Sequence, residues 1–110
     1  MTATIVNGDE IAADMNAHTA SVAEELTRRG HPPHLASIQV GENPASRIYT
    51  NMQARACESV GIDYELVTLP DDISPDELYA RIGELNADGR ITGIIMQLPL
   101  PRHVGARAVQ

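Results

Sequence analysis

The sequence contains no lysine, no phenylalanine and no tryptophan, so its eight basic residues are all arginines and its three aromatic residues are all tyrosines. A core without large apolar rings has to be built from isoleucine, leucine, valine, methionine and alanine. The single cysteine, Cys57, excludes an internal disulfide framework. A net charge of −7 disfavours a nucleic acid as partner, because phosphate binding requires clustered cations.

Long hydrophobic runs are also missing. No apolar stretch approaches the ~20 residues that span a bilayer, and the first residues carry neither a basic stretch nor an apolar signal run. These features predict a cytoplasmic protein without a membrane partner. His31 and His34 lie close together, but two histidines without further ligands predict no metal site. At 110 residues the chain is about one domain in length.

Three helices are predicted, each with a capping side chain at its start and a glycine at its end. Their limits are Asp9 to Gly30, Asn43 to Gly61 and Ser74 to Gly89. In the second and third helices a proline follows the cap, as is typical of the first helical position. The second helix has an apolar stripe that is expected to face a sheet, formed by Ala45, Ile48, Met52 and Ala56.

Three short apolar segments alternate with these helices and predict strands at 35–40, 62–69 and 93–96. The last is wholly apolar, which is typical of the centre of a parallel sheet. The alternation predicts an α/β fold, a three-layer α/β/α arrangement with a small parallel sheet. Ligands of such sheets bind outside the carboxyl ends of the strands, so the turns after Val40 and Met96 are the predicted site.

Polar side chains gather at these two turns. On a wheel of 100° per residue, Ser46, Tyr49 and Gln53 share one stripe of the second helix, and Gln97 leaves the third strand toward the same edge. The same pattern also fits the polar rim of an amphipathic helix and a loop glutamine. The stiff segment Leu98-Pro-Leu-Pro101 is either a wall that faces a ligand or an ordinary connector. Spacing alone leaves these alternatives open.

The segment Gly41-Glu-Asn-Pro-Ala-Ser-Arg-Ile-Tyr49, followed by Cys57 and Gly61 and then by Gln97-Leu-Pro-Leu-Pro101, resembles the methylenetetrahydrofolate dehydrogenase/methenyltetrahydrofolate cyclohydrolase family. The resemblance implies that residues 1–110 form the folate-side N-terminal catalytic domain, a parallel α/β domain like that of the amino-acid dehydrogenases. It implies that a helix toward the second domain begins in residues 104–110. The second, Rossmann cofactor domain is absent from this chain, and no Gly-x-Gly-x-x-Gly fingerprint appears.

The resemblance further implies a homodimeric enzyme of one-carbon metabolism that interconverts 5,10-methylene-, 5,10-methenyl- and 10-formyl-tetrahydrofolate with NADP or NAD as cofactor. By position, Tyr49 is implied to stack on the folate ring system and Gln97 to hydrogen-bond the catalytic side chain. Ser46, Leu98 and Pro99 are implied as further substrate-binding residues, Leu98 through its backbone.

One position departs from the family pattern. The catalytic lysine of the family comes four residues after the tyrosine, where this chain has Gln53. A glutamine amide can orient water but carries no proton near neutral pH, so we expect cyclohydrolase activity to fall by ~10²–10⁴-fold. Hydride transfer depends mainly on position, and Gln53 can still hydrogen-bond Gln97, so dehydrogenase activity should survive better. A non-catalytic folate-binding or interaction module and an inactive fragment remain as alternatives.

Overall fold

The computed structural model describes residues 2–105, in which helices and strands alternate. The elements are α1 (Gly8–Arg28), β1 (His34–Val40), α2 (Pro44–Val60), β2 (Asp63–Leu69), α3 (Pro75–Ala87) and β3 (Gly93–Met96). This order confirms the predicted α/β fold. Of the segment expected to begin a further helix, residues 106–110 lie outside the described part, and Val104 is buried in the core without belonging to a helix.

The sheet is parallel, and its strand order is β2-β1-β3. β1 pairs along its whole length with β2, and its residues Leu35 to Ile38 pair with β3. The expectation that 93–96 forms the centre of the sheet is therefore wrong. Among the strands of residues 2–105, β1 holds the centre because it alone has a neighbour on both sides, and five consecutive residues of β1 are buried.

The aliphatic core fills the face of the sheet that α3 covers. Ile38 and Val40 from β1 and Val67 from β2 pack with Leu78 and Leu85 of α3. Because side chains alternate across a strand, these positions share one face, and the intervening residues point to the other. Leu78 and Leu85 thus form the buried stripe of α3, with Ile82 partly buried beside it.

The opposite face of the sheet carries buried polar side chains among apolar ones, and α2 covers it with a polar stripe. Ser37 is fully buried on this face, and the side of α2 that turns inward carries Thr50, Gln53 and Cys57. The expectation that the apolar stripe of the second helix packs on the sheet is wrong. Ile48 and Met52 are 67% and 63% exposed. Hydrogen bonds between inward polar groups and the sheet decide the rotation of this helix.

Capping interactions define the helix starts. Asn43 Oδ1 accepts a hydrogen bond from Ala45 N, and Ser74 Oγ accepts one from Glu77 N, as the sequence predicts. The cap of α1 is Asn7 and not Asp9, because Asn7 Oδ1 accepts from the backbone N–H of Asp9. The first helix therefore begins at Gly8, one residue before Asp9. The negative charges of Asp9 and Glu10 in its first turn interact favourably with the positive end of the helix dipole.

α1 lies against α2 and the turn that follows it. Its buried residue is Ala23, whose Cβ is 3.9 Å from the Cβ that Gly61 would carry. Its apolar stripe is left exposed, and consists of Ile11, Met15, Val22 and Leu26. Within residues 2–105, none of the helices is both long and apolar enough to cross a membrane.

Candidate functional site

A cleft of about 230 Å³ lies at the carboxyl edge of the sheet. Its walls come from the turn after β1 and the segment after β3, the two places at which the sequence predicts a site. Gln97, Leu98 and Pro99 line one wall, and Ser46 at the start of α2 lines the other. Four of the residues proposed from the sequence are therefore brought together here.

Gln97 is fixed by both its backbone and its side chain. Its backbone N–H donates to Ile38 O at 2.8 Å, which continues the pairing between β3 and β1 by one residue. Its side chain is 8% exposed, and Nε2 donates to Ser37 Oγ at 2.7 Å and to Gln53 Oε1 at 2.8 Å. Both protons of this amide are thereby used, and the Oε1 atom remains as an acceptor.

Gln53 is held from two sides through one atom. Its Oε1 accepts the hydrogen bond from Gln97 and a second one from the Tyr64 hydroxyl, at 3.1 Å. The contact between Gln53 and Gln97 that the sequence leads us to expect is present. Side-chain hydrogen bonds thus connect two hydroxyls and two amides in one network, in the order Ser37, Gln97, Gln53 and Tyr64.

The two amides each keep one free polar atom. Within residues 2–105, Gln53 Nε2 and Gln97 Oε1 make no hydrogen bond, and Gln39 Oε1 is the one buried side-chain polar atom without a partner. The free atoms of Gln53 and Gln97 are therefore not sealed in the protein, and solvent or a ligand can reach them. Together they offer a two-proton donor and an acceptor.

Tyr49 stands apart from this cluster. Its side chain is 57% exposed, and neither Tyr49 nor Gln53 belongs to the lining of the cleft. An aromatic ring on the outer side of α2 has an accessible face, which is what stacking on a flat ligand requires. The roles of Tyr49, Ser46, Gln53, Gln97, Leu98 and Pro99 in binding or catalysis stay predictions.

The cleft is acidic at its mouth. Glu42 and Asp71 line it, and Gln39 adds the buried acceptor that lacks a partner. Gly41 forms the turn between β1 and α2 with a φ of +79°, and a Cβ at this position would lie 3.0 Å from Asp71 Cβ. Glycine is therefore needed here both for the backbone conformation and for the close approach of the two loops.

Cys57 contributes no nucleophile to the site. It lies on the buried side of α2, and burial raises the pKa of its thiol. A higher pKa keeps the thiol protonated, and the reactive form of cysteine is the thiolate. Its role is packing between α2 and its neighbours.

Ser37 and Tyr64 belong to the site although sequence reasoning does not single them out. Tyr64 fits the apolar alternation of its strand, together with Ile62 and Leu66, and Ser37 belongs to no motif. The available signal is the alternation of a strand: Ser37 is a polar residue in an otherwise buried strand, and such a residue requires a hydrogen-bond partner. The identity of that partner, Gln97, depends on the register of β1 with β3, which the sequence of β1 alone does not give.

The amide pair can position a ligand but cannot move a proton. Carboxamides are neutral across the physiological range, so Gln53 and Gln97 supply hydrogen bonds of fixed polarity and no acid or base. The arrangement suits the orientation of a flat, polar heterocycle whose edge carries both donors and acceptors.

Comparison with known proteins gives a consistent result. A family model described as "Tetrahydrofolate dehydrogenase/cyclohydrolase, catalytic domain" matches residues 6–110. Bifunctional protein FolD of Cupriavidus taiwanensis is 44% identical to this chain over 109 residues, which cover 99% of the chain and 38% of that protein.

Solved structures are similar in the same region. A bifunctional FolD methylenetetrahydrofolate dehydrogenase/cyclohydrolase from Campylobacter jejuni superimposes with a TM-score of 0.91 at 36% identity, over 96% of this chain and 38% of the other. A Trypanosoma brucei methylenetetrahydrofolate dehydrogenase-cyclohydrolase, complexed with NADP cofactor and inhibitor, gives a TM-score of 0.85 at 27% identity, over 99% and 38%. This chain thus spans 38% of the length of these relatives. By its sequence match and its fold, the chain belongs to the tetrahydrofolate dehydrogenase/cyclohydrolase catalytic-domain family.

Proposed function

We propose that residues 1–110 are the folate-side catalytic domain of an enzyme that interconverts 5,10-methylene-, 5,10-methenyl- and 10-formyl-tetrahydrofolate. The observation that carries the proposal is the amide pair Gln53 and Gln97, joined at 2.8 Å beside a cleft at the carboxyl edge of a parallel sheet. The pterin edge of a folate carries donors and acceptors that this pair can match. The family resemblance further supports a homodimeric, cytoplasmic enzyme of one-carbon metabolism.

In this proposal each site residue has one task. Tyr49 stacks its exposed ring on the folate ring system, and Gln97 presents its free Oε1 as an acceptor. Ser46, Leu98 and Pro99 form the walls of the cleft. Gln53 donates through Nε2 and keeps Gln97 in place, but it carries no proton. The hydride-transfer activity is therefore proposed to be favoured over the cyclohydrolase activity.

The nicotinamide cofactor, NADP or NAD, is proposed to be bound mainly by a domain other than residues 1–110. The cleft described here does not fit a dinucleotide, because Glu42 and Asp71 at its mouth would repel the phosphates. The turn after β1 has one glycine, Gly41, and that glycine is packed against Asp71. The NADP-bound relative from Trypanosoma brucei supports NADP as the cofactor of the complete enzyme.

Folate binding by the chain is the direct test. We expect isothermal titration calorimetry under anaerobic conditions to detect tetrahydrofolate binding to the 110-residue chain. The substitution Tyr49→Ala should weaken this binding roughly two- to tenfold, because an aromatic stacking contact contributes about 0.5–1.5 kcal/mol.

The matched control is Tyr79→Ala, which removes a partly exposed tyrosine from α3, on the other face of the sheet. It should leave the dissociation constant unchanged. No heat of binding for the parent chain, together with an absence of NMR shift changes at millimolar tetrahydrofolate, would contradict the proposed function.

A second candidate function is a folate-binding module that has lost its chemistry. The observation in its favour is that the position of the family lysine holds Gln53, whose amide does not titrate. A dehydrogenase assay with and without a separately supplied nicotinamide-binding domain separates the two. Turnover that appears only with that domain supports the enzyme, and folate binding without turnover supports the module.

A further inference from the structure

We propose that Tyr64 is a positioning residue whose hydroxyl holds the Gln53 amide in the orientation that leaves its Nε2 free to donate to a ligand. The inference rests on the proposed function, since the ligand is a folate. Tyr64 lies in β2 and Gln53 in α2, eleven residues apart in sequence, and the bond between them joins the helix to the sheet.

The hydrogen-bond donors and acceptors around Gln53 define the orientation of its amide. Tyr64 Oη has one proton and donates it to Gln53 Oε1, while Gln97 Nε2 donates one of its two protons to the same oxygen. A carbonyl oxygen has two lone pairs, so Gln53 Oε1 is fully used. If the Gln53 amide alone turned over, its NH₂ group would face the NH₂ group of Gln97, and the hydrogen bond between the two side chains would be lost.

The hydrogen bond from Tyr64 also restricts the orientation of the Gln53 amide plane. A single hydrogen bond from Gln97 would let the Gln53 amide plane swing about that bond, because the terminal torsion of a glutamine is broad. Tyr64 supplies a second donor from β2. Two hydrogen bonds from different directions restrict the plane of the Gln53 amide, which one hydrogen bond would leave free to rotate. Within the described residues Nε2 has no protein partner, so the fixed orientation places a two-proton donor where a ligand can reach it.

Packing alone does not explain the contact between Tyr64 and Gln53. Tyr64 is only partly buried, so a leucine or valine would fill the same strand position. The oxygen of tyrosine adds just one feature, the bond to Gln53. In the strand register Tyr64 pairs with Leu35, and Leu35 lies two residues before Ser37 in β1. The hydroxyls of Tyr64 and Ser37 therefore project from the same face of the sheet.

The binding test is a double-mutant cycle on tetrahydrofolate affinity, measured by calorimetry with the 110-residue chain. Tyr64→Phe removes only the hydroxyl and should weaken binding roughly two- to tenfold, the effect of one hydrogen bond. In a Gln53→Met background residue 53 offers Tyr64 only a weak thioether acceptor, so the same substitution should change affinity less than about twofold. Tyr79→Phe is the matched control and should have no effect in either background.

A second measurement reports on the amide without any ligand. In ¹⁵N-labelled chain, NMR relaxation of the Gln53 side-chain NH₂ group measures its order on the picosecond to nanosecond timescale. We expect the order parameter to fall in Tyr64→Phe and to stay constant in Tyr79→Phe. A purely structural role of Tyr64 would lower the melting temperature without this selective loss of order at Gln53.

The outcomes are distinguishable. A parent chain that does not bind tetrahydrofolate overturns the proposed function, and the inference falls with it. A parent that binds but is indifferent to Tyr64→Phe overturns only the role of Tyr64. The same holds if Tyr64→Phe costs equal affinity in the parent and in the Gln53→Met background. An unchanged Gln53 order parameter in Tyr64→Phe overturns it as well.

Discussion

At the scale of single residues, Gln53 carries the clearest chemical consequence. Its amide is held by Gln97 and Tyr64 and does not titrate, so under the proposed function water addition to a methenyl bridge would lack a proton carrier at this position. In the complete enzyme we expect Gln53→Lys to raise the cyclohydrolase rate by ~10²–10⁴-fold and to change the dehydrogenase rate much less. The two rates are measured on the same preparation.

The control for this prediction is Arg55→Lys, which adds a lysine on the same helix but at an exposed position about 200° away. It should leave both rates unchanged. A cyclohydrolase rate that stays constant in Gln53→Lys would mean that residue 53 takes no part in proton transfer.

Two glycines show how backbone conformation acts at the same scale. Gly41 has a φ of +79°, and a Cβ there would lie a tight 3.0 Å from Asp71 Cβ, whereas Gly83 lies inside α3 with open space around it. We expect Gly41→Ala to lower the free energy of unfolding by about 1–2 kcal/mol or more, from the left-handed conformation alone. Gly83→Ala should raise it by roughly 0.5–1 kcal/mol, because alanine is the better helix former.

Urea denaturation of both variants measures these changes. The same substitution at two positions serves as its own control, since the added methyl group is identical. A Gly41→Ala variant as stable as the parent would show that neither the left-handed conformation nor the approach to Asp71 constrains Gly41.

At the scale of elements, a hydrogen-bonded ion pair between Asp88 and Arg90 follows the end of α3. Asp88 accepts hydrogen bonds from Arg90 N, Nε and Nη2 at 3.0, 3.1 and 2.8 Å. The side-chain bond to Arg90 is the main cause that lowers the pKa of Asp88 from 3.8 to about 2, followed by the backbone bond. Because the folded-state pKa is lowered, this stabilisation is present above pH 3.8 and is lost as the pH falls toward about 2.

The check is the free energy of unfolding measured by urea at a series of pH values between these limits. Asp88→Asn should be less sensitive to pH there than the parent, by a small amount because the pair is exposed to solvent. Added salt should reduce the difference. Identical pH profiles for the parent and the variant would contradict the prediction.

The elements also show why some of the fold follows from local sequence. The starts of α2 and α3 agree with the sequence because the caps Asn43 and Ser74 act within three residues of the backbone groups that they satisfy. The rotation predicted for α2 is wrong because hydrophobic periodicity assumes an apolar surface beneath the helix. Below α2 lie Ser37 and Tyr64 of the sheet and Gln97 after β3, and the hydrogen bonds from Gln97 and Tyr64 to Gln53 turn the polar stripe inward.

At the scale of the whole molecule, the chain is open. Its radius of gyration of 17.1 Å exceeds the value of about 13 Å typical of a compact domain of this length. The exposed apolar stripe of α1, formed by Ile11, Met15, Val22 and Leu26, is part of this open surface. Contiguous exposed apolar surface promotes association.

We therefore expect the 110-residue chain to self-associate, with a mass that rises with concentration in multi-angle light scattering. Met15→Glu places a charge in the stripe and should shift the chain toward the monomer. Asn16→Glu adds the same charge to an exposed position of α1 outside the stripe and should have little effect. A constant monomer mass for the parent at all concentrations would contradict the expectation.

The sequence by itself determined the order of helices and strands, most helix ends, the parallel α/β fold and the two turns that form the cleft. These depend on capping side chains, glycines and apolar runs, whose effects reach only a few residues along the chain. Tertiary structure alone decided that β1 is central, that α2 turns its polar side inward, and that Ser37 and Tyr64 secure the amides of Gln97 and Gln53. Such contacts join residues up to 60 positions apart, and a hydrogen bond over that separation exists only after the strands have taken their register.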